Sequence, residues 1–225
     1  QRLIDLYASQ ITPLFGNRFA AGEMPKLDIK REDEIGQLSA SFNLMVEAVN
    51  KRDEALKALA IKDGLTGLYN YRHFIETLDK EVKKSSRFGR PLSLLMMDID
   101  HFKNYNDVNG HMQGSVALKK MADVFLRSIR EVDIAARYGG EEFVVILPET
   151  KLEDAMTVAE RVRMKVEKEE FPGEESQPNG SLTISIGVAS FPDAATEAAH
   201  LIEAADMALY KAKSLGRNRV CSVYS

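Results

Sequence analysis

Residues 137–143 read Arg-Tyr-Gly-Gly-Glu-Glu-Phe and run straight into Val144, Val145, Ile146 and Leu147. Nothing else in the chain restricts the fold so tightly. The glycine pair supplies the positive φ angles that a two-residue hairpin turn demands, and the β-branched run behind it supplies a buried strand to hold the acids still. Glu141 and Glu142 are carried at the tip. An earlier apolar run, Leu92 to Met97, ends in Asp98-Ile99-Asp100. Two acid-bearing strand ends laid side by side would gather carboxylates around a divalent cation.

Around this hairpin, periodicity and punctuation predict a helix over 71–88, a strand over 92–99 and a helical pair over 101–130. After the hairpin come a helix over 152–169, a strand over 181–189, a helix over 196–214 and an edge strand within 218–223. The Pro, Gly, Ser and Glu content of 169–180 predicts an exposed loop. Helices interspersed with a mainly antiparallel sheet make an α+β domain with helices flanking the sheet.

At 225 residues the chain holds one ordinary domain plus an accessory segment. The accessory part is at the N-terminus. From Glu32 to Ala60, the apolar residues Ile35, Leu38, Phe42, Met45, Val49, Leu56 and Leu59 alternate three and four apart, with Arg52 filling the missing step. That is a heptad seam. Upstream, Leu3, Leu6, Ile11 and Leu14 predict another helix ending near Gly22, with an extended connector over 24–31. The two stripes are buried either in a parallel dimer forming a four-helix bundle or against the domain that follows. Glu32-Asp33-Glu34 suits the positive end of the second helix dipole. No stop signal appears until Asp63, where Asp-Gly-Leu-Thr-Gly begins.

Composition excludes several classes. A net charge of −4 lacks the broad basic footprint that nucleic acid requires, while local Lys and Arg still suit nucleotides. The lone Cys221 forbids an internal disulfide, and four scattered histidines argue against zinc, so the chain reads as one from a reducing, cytosolic compartment. No stretch approaches the roughly 20 apolar residues that cross a bilayer. The sequence opens on Gln1, which suggests an excised piece whose membrane anchor, if it has one, lies upstream.

The chain resembles the GGDEF family of cyclic-dinucleotide synthases from about Ala60 onward. The resemblance is carried by Asp63-Gly64-Leu65-Thr66-Gly67-Leu68 with Asn70, by Asp98-Ile99-Asp100-His101-Phe102-Lys103 with Asn106-Asp107, and by Gly110-His111. It continues through Gly139-Gly140-Glu141-Glu142-Phe143 and Ala208-Leu209-Tyr210-Lys211-Ala212-Lys213 with Gly216-Arg217-Asn218. Asp33-Glu34-Ile35-Gly36-Gln37-Leu38 is similar to a HAMP signalling module. The implied organisation is a HAMP-like module over 1–50, a coiled-coil linker over 51–62 and a catalytic domain over 63–225.

The resemblance implies a palm-like nucleotide-cyclase fold and a reaction that joins two nucleoside triphosphates. Each 3′-hydroxyl attacks the other molecule's α-phosphate, with two Mg²⁺ ions expected per site and Mn²⁺ able to serve. It places magnesium on Asp98, the Ile99 carbonyl and Glu141, and makes Glu142 a further acid, ligand or base. Lys103, Lys213 and Arg217 correspond to phosphate-contacting positions, Lys103 with a catalytic role, and Phe102 and Asn106 to nucleotide-binding ones. Main-chain amides around 101–103 would cradle phosphate at a helix start. Arg130 and Asp133 fit the family's Arg-x-x-Asp product-inhibition motif for cyclic di-GMP; an ordinary surface ion pair is the plain alternative. One site holds one triphosphate, so ring closure implies a homodimer. A cytoplasmic domain of a bacterial inner-membrane sensor is the implied setting.

One position departs from the pattern. The family's Gly-His-x-x-Gly-Asp stands here as Gly110-His111-Met112-Gln113-Gly114-Ser115. Aspartate accepts from guanine N1–H and its exocyclic amine, and it repels the unprotonated N1 of adenine. Serine both donates and accepts, and so suits either purine edge. Ser115 resembles the hybrid promiscuous subgroup, which makes 3′,3′-cyclic GMP-AMP from GTP and ATP. Alternatives are a strict, slower diguanylate cyclase and an inactive domain acting as a cyclic-dinucleotide receptor.

Overall fold

The structure, a computed structural model, describes residues 33–59, 61–178 and 180–224. The chain divides into two compact units between Ala60 and Ile61. In the first, helix α1 spans Glu34–Leu59. Its start is capped by Asp33, whose Oδ1 accepts from the Gly36 N–H at 3.2 Å. Seam residues Leu38, Met45 and Val49 are exposed within the single chain, whereas Ser39 and Val46, one position further on, are buried. The predicted helix around Leu3–Leu14 lies outside the described residues.

The second unit contains α2 (Tyr71–Phe88), β1 (Leu92–Ile99), α3 (Phe102–Leu126), β2 (Ile134–Gly139) and β3 (Glu142–Pro148). Then come α4 (Leu152–Lys168), a 3₁₀ turn (Glu174–Ser176), β4 (Ile184–Phe191), α5 (Ala198–Ser214) and β5 (Val220–Ser222). The sheet order is β2-β3-β1-β4-β5. Every pairing is antiparallel except the last, β4 with β5, which is parallel.

Strand β1 is central and buried along almost its whole length because the sheet is covered on both faces. Leu95, Met97 and Ile99 face a core shared with α3 and α4, including Phe125 and Val162. Leu92, Leu94 and Met96 face a second core with Phe74 and Leu78 of α2 and Leu201 and Ala205 of α5. This alternation explains why a continuous apolar run is a strand and not a helix. Close packing against the sheet also fixes Gly187, where a Cβ would lie 2.1 Å from the Ala205 carbonyl oxygen.

Two expectations need correction. The hairpin turn is built from Gly140 and Glu141, and Gly139 is the last residue of β2, paired with Glu142 after a register shift following Arg137. Of the two glycines only Gly140 has positive φ, +30°. The bulge absorbs one residue and moves the turn forward. The segment 169–180 is more than an exposed loop, since Phe171 and Gln177 are buried. It straps onto the first half of α3, where the Tyr105 hydroxyl donates to the Pro172 carbonyl and Asn109 Nδ2 donates to the Gly173 carbonyl at 3.2 Å. Helix α3 itself is two helical segments that meet at Gly110 (φ +80°, ψ 156°).

Candidate active site

At the end of the central strand, Asp98 stands directly opposite Glu142 of β3 on one side and Ser185 of β4 on the other. Opposed residues in an antiparallel ladder bring their Cβ atoms to about 4.5–5.5 Å, and like charges so placed repel. The corner is closed by the Ile99 N–H, which donates to the Glu141 carbonyl at 3.4 Å. Lys213, from the last turn of α5, reaches Asp98 Oδ2 at 2.8 Å. Burial raises the Asp98 carboxyl from 3.8 to about 6, Lys213 pulls it back, and Glu141 and Glu142 push it up further. Three acids are thus crowded at one corner, an arrangement that a cation would relieve.

The donor set is all oxygen, which suits a hard ion. Among the described residues, no three His, Cys, Asp or Glu side chains stand where they could hold a metal ion together. Magnesium does not need three: it binds through one or two carboxylates, keeps waters and takes further ligands from substrate phosphates. Asp98 with one of the hairpin glutamates is therefore a donor set that suits an ion whose other ligands come from outside the chain.

Beside the acids lies a cavity of about 230 Å³, lined by Phe102 and Asn106 from the first segment of α3, Gly114 and Ser115 from the second, and Arg137 and Glu141 from the hairpin. Larger grooves of about 730 Å³ along α4 and about 840 Å³ between α2 and α5 hold none of the β1 or hairpin acids. Asn106 Oδ1 is buried in the structure with no hydrogen-bond partner. A buried acceptor left unpaired calls for a donor from outside the chain. Gly114 makes room for it, because a Cβ there would lie 1.9 Å from that oxygen. The half-buried Ser115 hydroxyl donates to the His111 carbonyl at 3.0 Å, so in this rotamer its remaining capacity is as an acceptor.

Arg137 braces the turn. Its Nε and Nη2 donate to the Gly140 carbonyl at 3.0 and 2.7 Å, and its Nη1 pairs with Asp63 Oδ1 at 3.3 Å. Asp63 also accepts from the Thr66 N–H and hydroxyl at 2.8 and 2.7 Å. Burial pushes the Asp63 carboxyl up, but the Thr66 bonds and Arg137 outweigh it and hold it below its ordinary value.

Residues 60–219 match the family described as "Diguanylate cyclase, GGDEF domain". The chain belongs to this GGDEF family. Residues 17–51 match the HAMP domain. Among curated relatives, the response regulator PleD of Caulobacter vibrioides is 42% identical over 171 residues, covering 76% of this chain and 37% of PleD. Diguanylate cyclase A of Treponema denticola is 40% identical over 177 residues, covering 77% of this chain and 47% of the relative. The chain thus spans less than half the length of either. The solved GGDEF domain of DgcB from Caulobacter crescentus, in complex with c-di-GMP, superposes with a TM-score of 0.68 at 35% identity over 74% of this chain and 97% of that one.

The GGDEF fold gathers Asp98, Ile99, Glu141, Glu142 and Lys213 at one corner, and Phe102, Asn106 and Ser115 around the adjoining cavity. Lys103 and Arg217 are exposed; neither lines that cavity nor pairs with an acid among the described residues. No side chain caps the start of α3, where His101 takes a left-handed conformation. Arg130 and Asp133 lie at the opposite end of β2 from the turn, roughly 20 Å away along the strand. The Asp133 side chain is fully buried and accepts from Arg130 Nη2 at 2.7 Å and from the Arg130 main-chain N–H at 2.8 Å. Asp63, Arg137 and Gly114 shape the site although sequence reasoning gave them no role, and all three sit inside quoted motifs.

Proposed function

We propose that this GGDEF chain condenses two purine nucleoside triphosphates into a 3′,3′-cyclic dinucleotide, making cyclic GMP-AMP from GTP and ATP together with cyclic di-GMP. The observation that carries the reading is the carboxylate pair Asp98 and Glu142, forced together beside a cavity with an orphaned acceptor. Asp98, the Ile99 carbonyl and Glu141 would hold magnesium, which would neutralise charge on the triphosphate and lower the pKa of the attacking hydroxyl; Mn²⁺ would suit the same oxygen donors. Asn106 and Ser115 orient the base, while Lys103, Lys213 and Arg217 meet the phosphates. Each 3′-oxygen forms a bond to the other nucleotide's α-phosphorus as that phosphorus loses pyrophosphate. The hydroxyl proton leaves to a site carboxylate or to solvent.

Each site holds one nucleotide, so two chains face each other at ring closure. The exposed seam of Leu38, Met45 and Val49 supports a homodimer joined through α1. The HAMP match supports a signalling protein with this part on the cytoplasmic side of an inner membrane; no helix among the described residues is long and apolar enough to cross one.

Ser115 supports the mixed product, because a hydroxyl can turn to meet either purine edge. Incubation with Mg²⁺ and GTP, ATP or both, followed by product separation, tests this directly. Cyclic GMP-AMP is expected from the mixture, and cyclic di-GMP alone would leave the strict diguanylate cyclase reading that the relatives' names favour. Ser115→Asp should shift product toward cyclic di-GMP by about tenfold or more, the scale of one buried hydrogen bond to a base.

Arg130 and Asp133 are proposed to bind cyclic di-GMP as a feedback inhibitor. Asp133 is already satisfied by Arg130, so the exposed guanidinium is the side that meets ligand. Arg130→Ala should raise the inhibitory concentration of cyclic di-GMP about tenfold or more, as expected for a lost charged contact. Equal inhibition of variant and unmutated chain would remove the site from the molecule.

A further inference from the structure

Asp100 lies two residues beyond Asp98 and takes no part in the site described so far. It is 3% exposed, yet it forms no ion pair among the described residues. Hydrogen bonds alone satisfy it. Oδ1 accepts from the Ser185 hydroxyl at 2.7 Å, and Oδ2 accepts from the Thr183 hydroxyl at 2.8 Å and from the Asn218 main-chain N–H at 3.0 Å. Its own N–H donates to the Thr183 carbonyl at 2.9 Å. A buried carboxylate without a counter-charge is expensive, so its place in the fold needs a reason.

The backbone it holds is strained. Gly216, Arg217 and Asn218 are consecutive residues at φ +112°, +61° and +46°, and His101, next to Asp100, is at +55°. Non-glycine residues persist in that region where their surroundings over-determine them, and such strain collects at functional sites. The side chain of Asn218 is gripped as well: Oδ1 accepts from Arg163 Nη1 at 2.7 Å and Nδ2 donates to Glu167 Oε1 at 2.6 Å. The strained turn directly follows the end of α5 that presents Lys213, and the β1–α3 junction directly follows Asp98 and Ile99.

We propose that Asp100 is a positioning residue: its buried carboxylate pins the left-handed turn 216–218 to the β1–α3 junction and so fixes where Arg217 and Lys213 stand relative to Asp98 and Glu141. Three donors converge on its two oxygens. The two hydroxyls can turn to other partners, but the Asn218 N–H cannot. The inference rests on the nucleotidyltransferase reading and adds to it a residue that touches no substrate.

The test uses the full chain with Mg²⁺ and α,β-methylene GTP, which binds without reacting, measured by calorimetry beside a melting curve. Asp100→Ala should weaken binding about tenfold or more, and Asp100→Asn, which keeps one acceptor, about threefold. With Arg217→Ala already present, Asp100→Ala should weaken binding by about threefold or less further, because only the part of the latch that acts through Lys213 is left. A fully multiplied loss in that background, or unchanged affinity in the single variants despite a lowered melting temperature, overturns the proposal. Should the alanine variant fail to fold, Asp100→Asn with and without Arg217→Ala makes the same comparison at smaller amplitude. Absence of analogue binding by the unmutated chain overturns the nucleotide reading and the latch together; normal binding there with unaltered variants overturns the latch alone.

Discussion

Asp98→Asn is expected to lower turnover on the order of 10³-fold, the several kcal/mol that loss of the proposed metal carboxylate would represent, and to make the chain more stable at pH 8 in the absence of divalent cations. The two effects share one cause. The folded chain holds the Asp98 proton more tightly than the unfolded chain does, with a pKa of about 6 against 3.8. Stability from this source is whole below pH 3.8 and is lost as pH rises through about 6. At 1.36 kcal/mol per pH unit its ceiling is about 3 kcal/mol. Asparagine has no proton to lose and leaves Lys213 without its partner, so the net gain at pH 8 should be about 1–2 kcal/mol. Urea melts in EDTA at pH 4.5, 6 and 8 check this: the unmutated chain should weaken relative to the variant as pH rises. Added Mg²⁺ should stabilise the unmutated chain and leave the variant unmoved. A variant less stable than its parent at pH 8 would show that Asp98 holds the fold together and not a ligand.

Gly114→Ala should separate folding from binding. The new Cβ would lie 1.9 Å from Asn106 Oδ1 and 3.4 Å from Phe102 Cζ. The near atom is the end of a short side chain, so Asn106 swings aside and the backbone stays put. Replacing glycine by alanine inside a helix also favours the folded state by up to about 1 kcal/mol. The variant is therefore expected to melt within a few degrees of the parent, while affinity for GTP and ATP falls about 10²-fold as the base loses its buried partner. Calorimetric titration and a melting curve on the same sample decide it. Retained affinity would mean that the Asn106 carbonyl does not meet the base.

The individual elements were written locally. Strand β1 was legible because a short apolar run broken only by Ser93, bounded by Pro91 and by acids, suits a strand covered on both faces. Helix α2 was legible because Asn70 caps its start, accepting from the His73 N–H at 2.9 Å, and Gly89 ends it in a left-handed conformation. The hairpin was read with its turn one residue early, since nothing in a Gly-Gly pair announces a bulge in the strand before it. What sequence could not show were contacts between distant positions. Lys213 reads as a cation for phosphate, and its grip on Asp98 depends on where α5 packs. Arg137 and Asp63 are 74 residues apart, and Asp100 and Asn218 are 118 apart. Such pairs follow from how the sheet and its helices pack, and periodicity carries no trace of them.

The break in α3 at Gly110 divides the base-side cavity between two separately anchored pieces. Phe102 and Asn106 ride on a segment strapped down by 171–176, whereas Gly114 and Ser115 ride on one rooted in the core through Leu118, Met121 and Phe125. The acids belong to neither piece; they are fixed by the sheet. Which base is admitted and how fast bonds are made are thus separable traits. On the proposed function, drift in one wall could explore new nucleotides while the chemistry next door stays intact, so a lineage could acquire a new second messenger without first losing the old one.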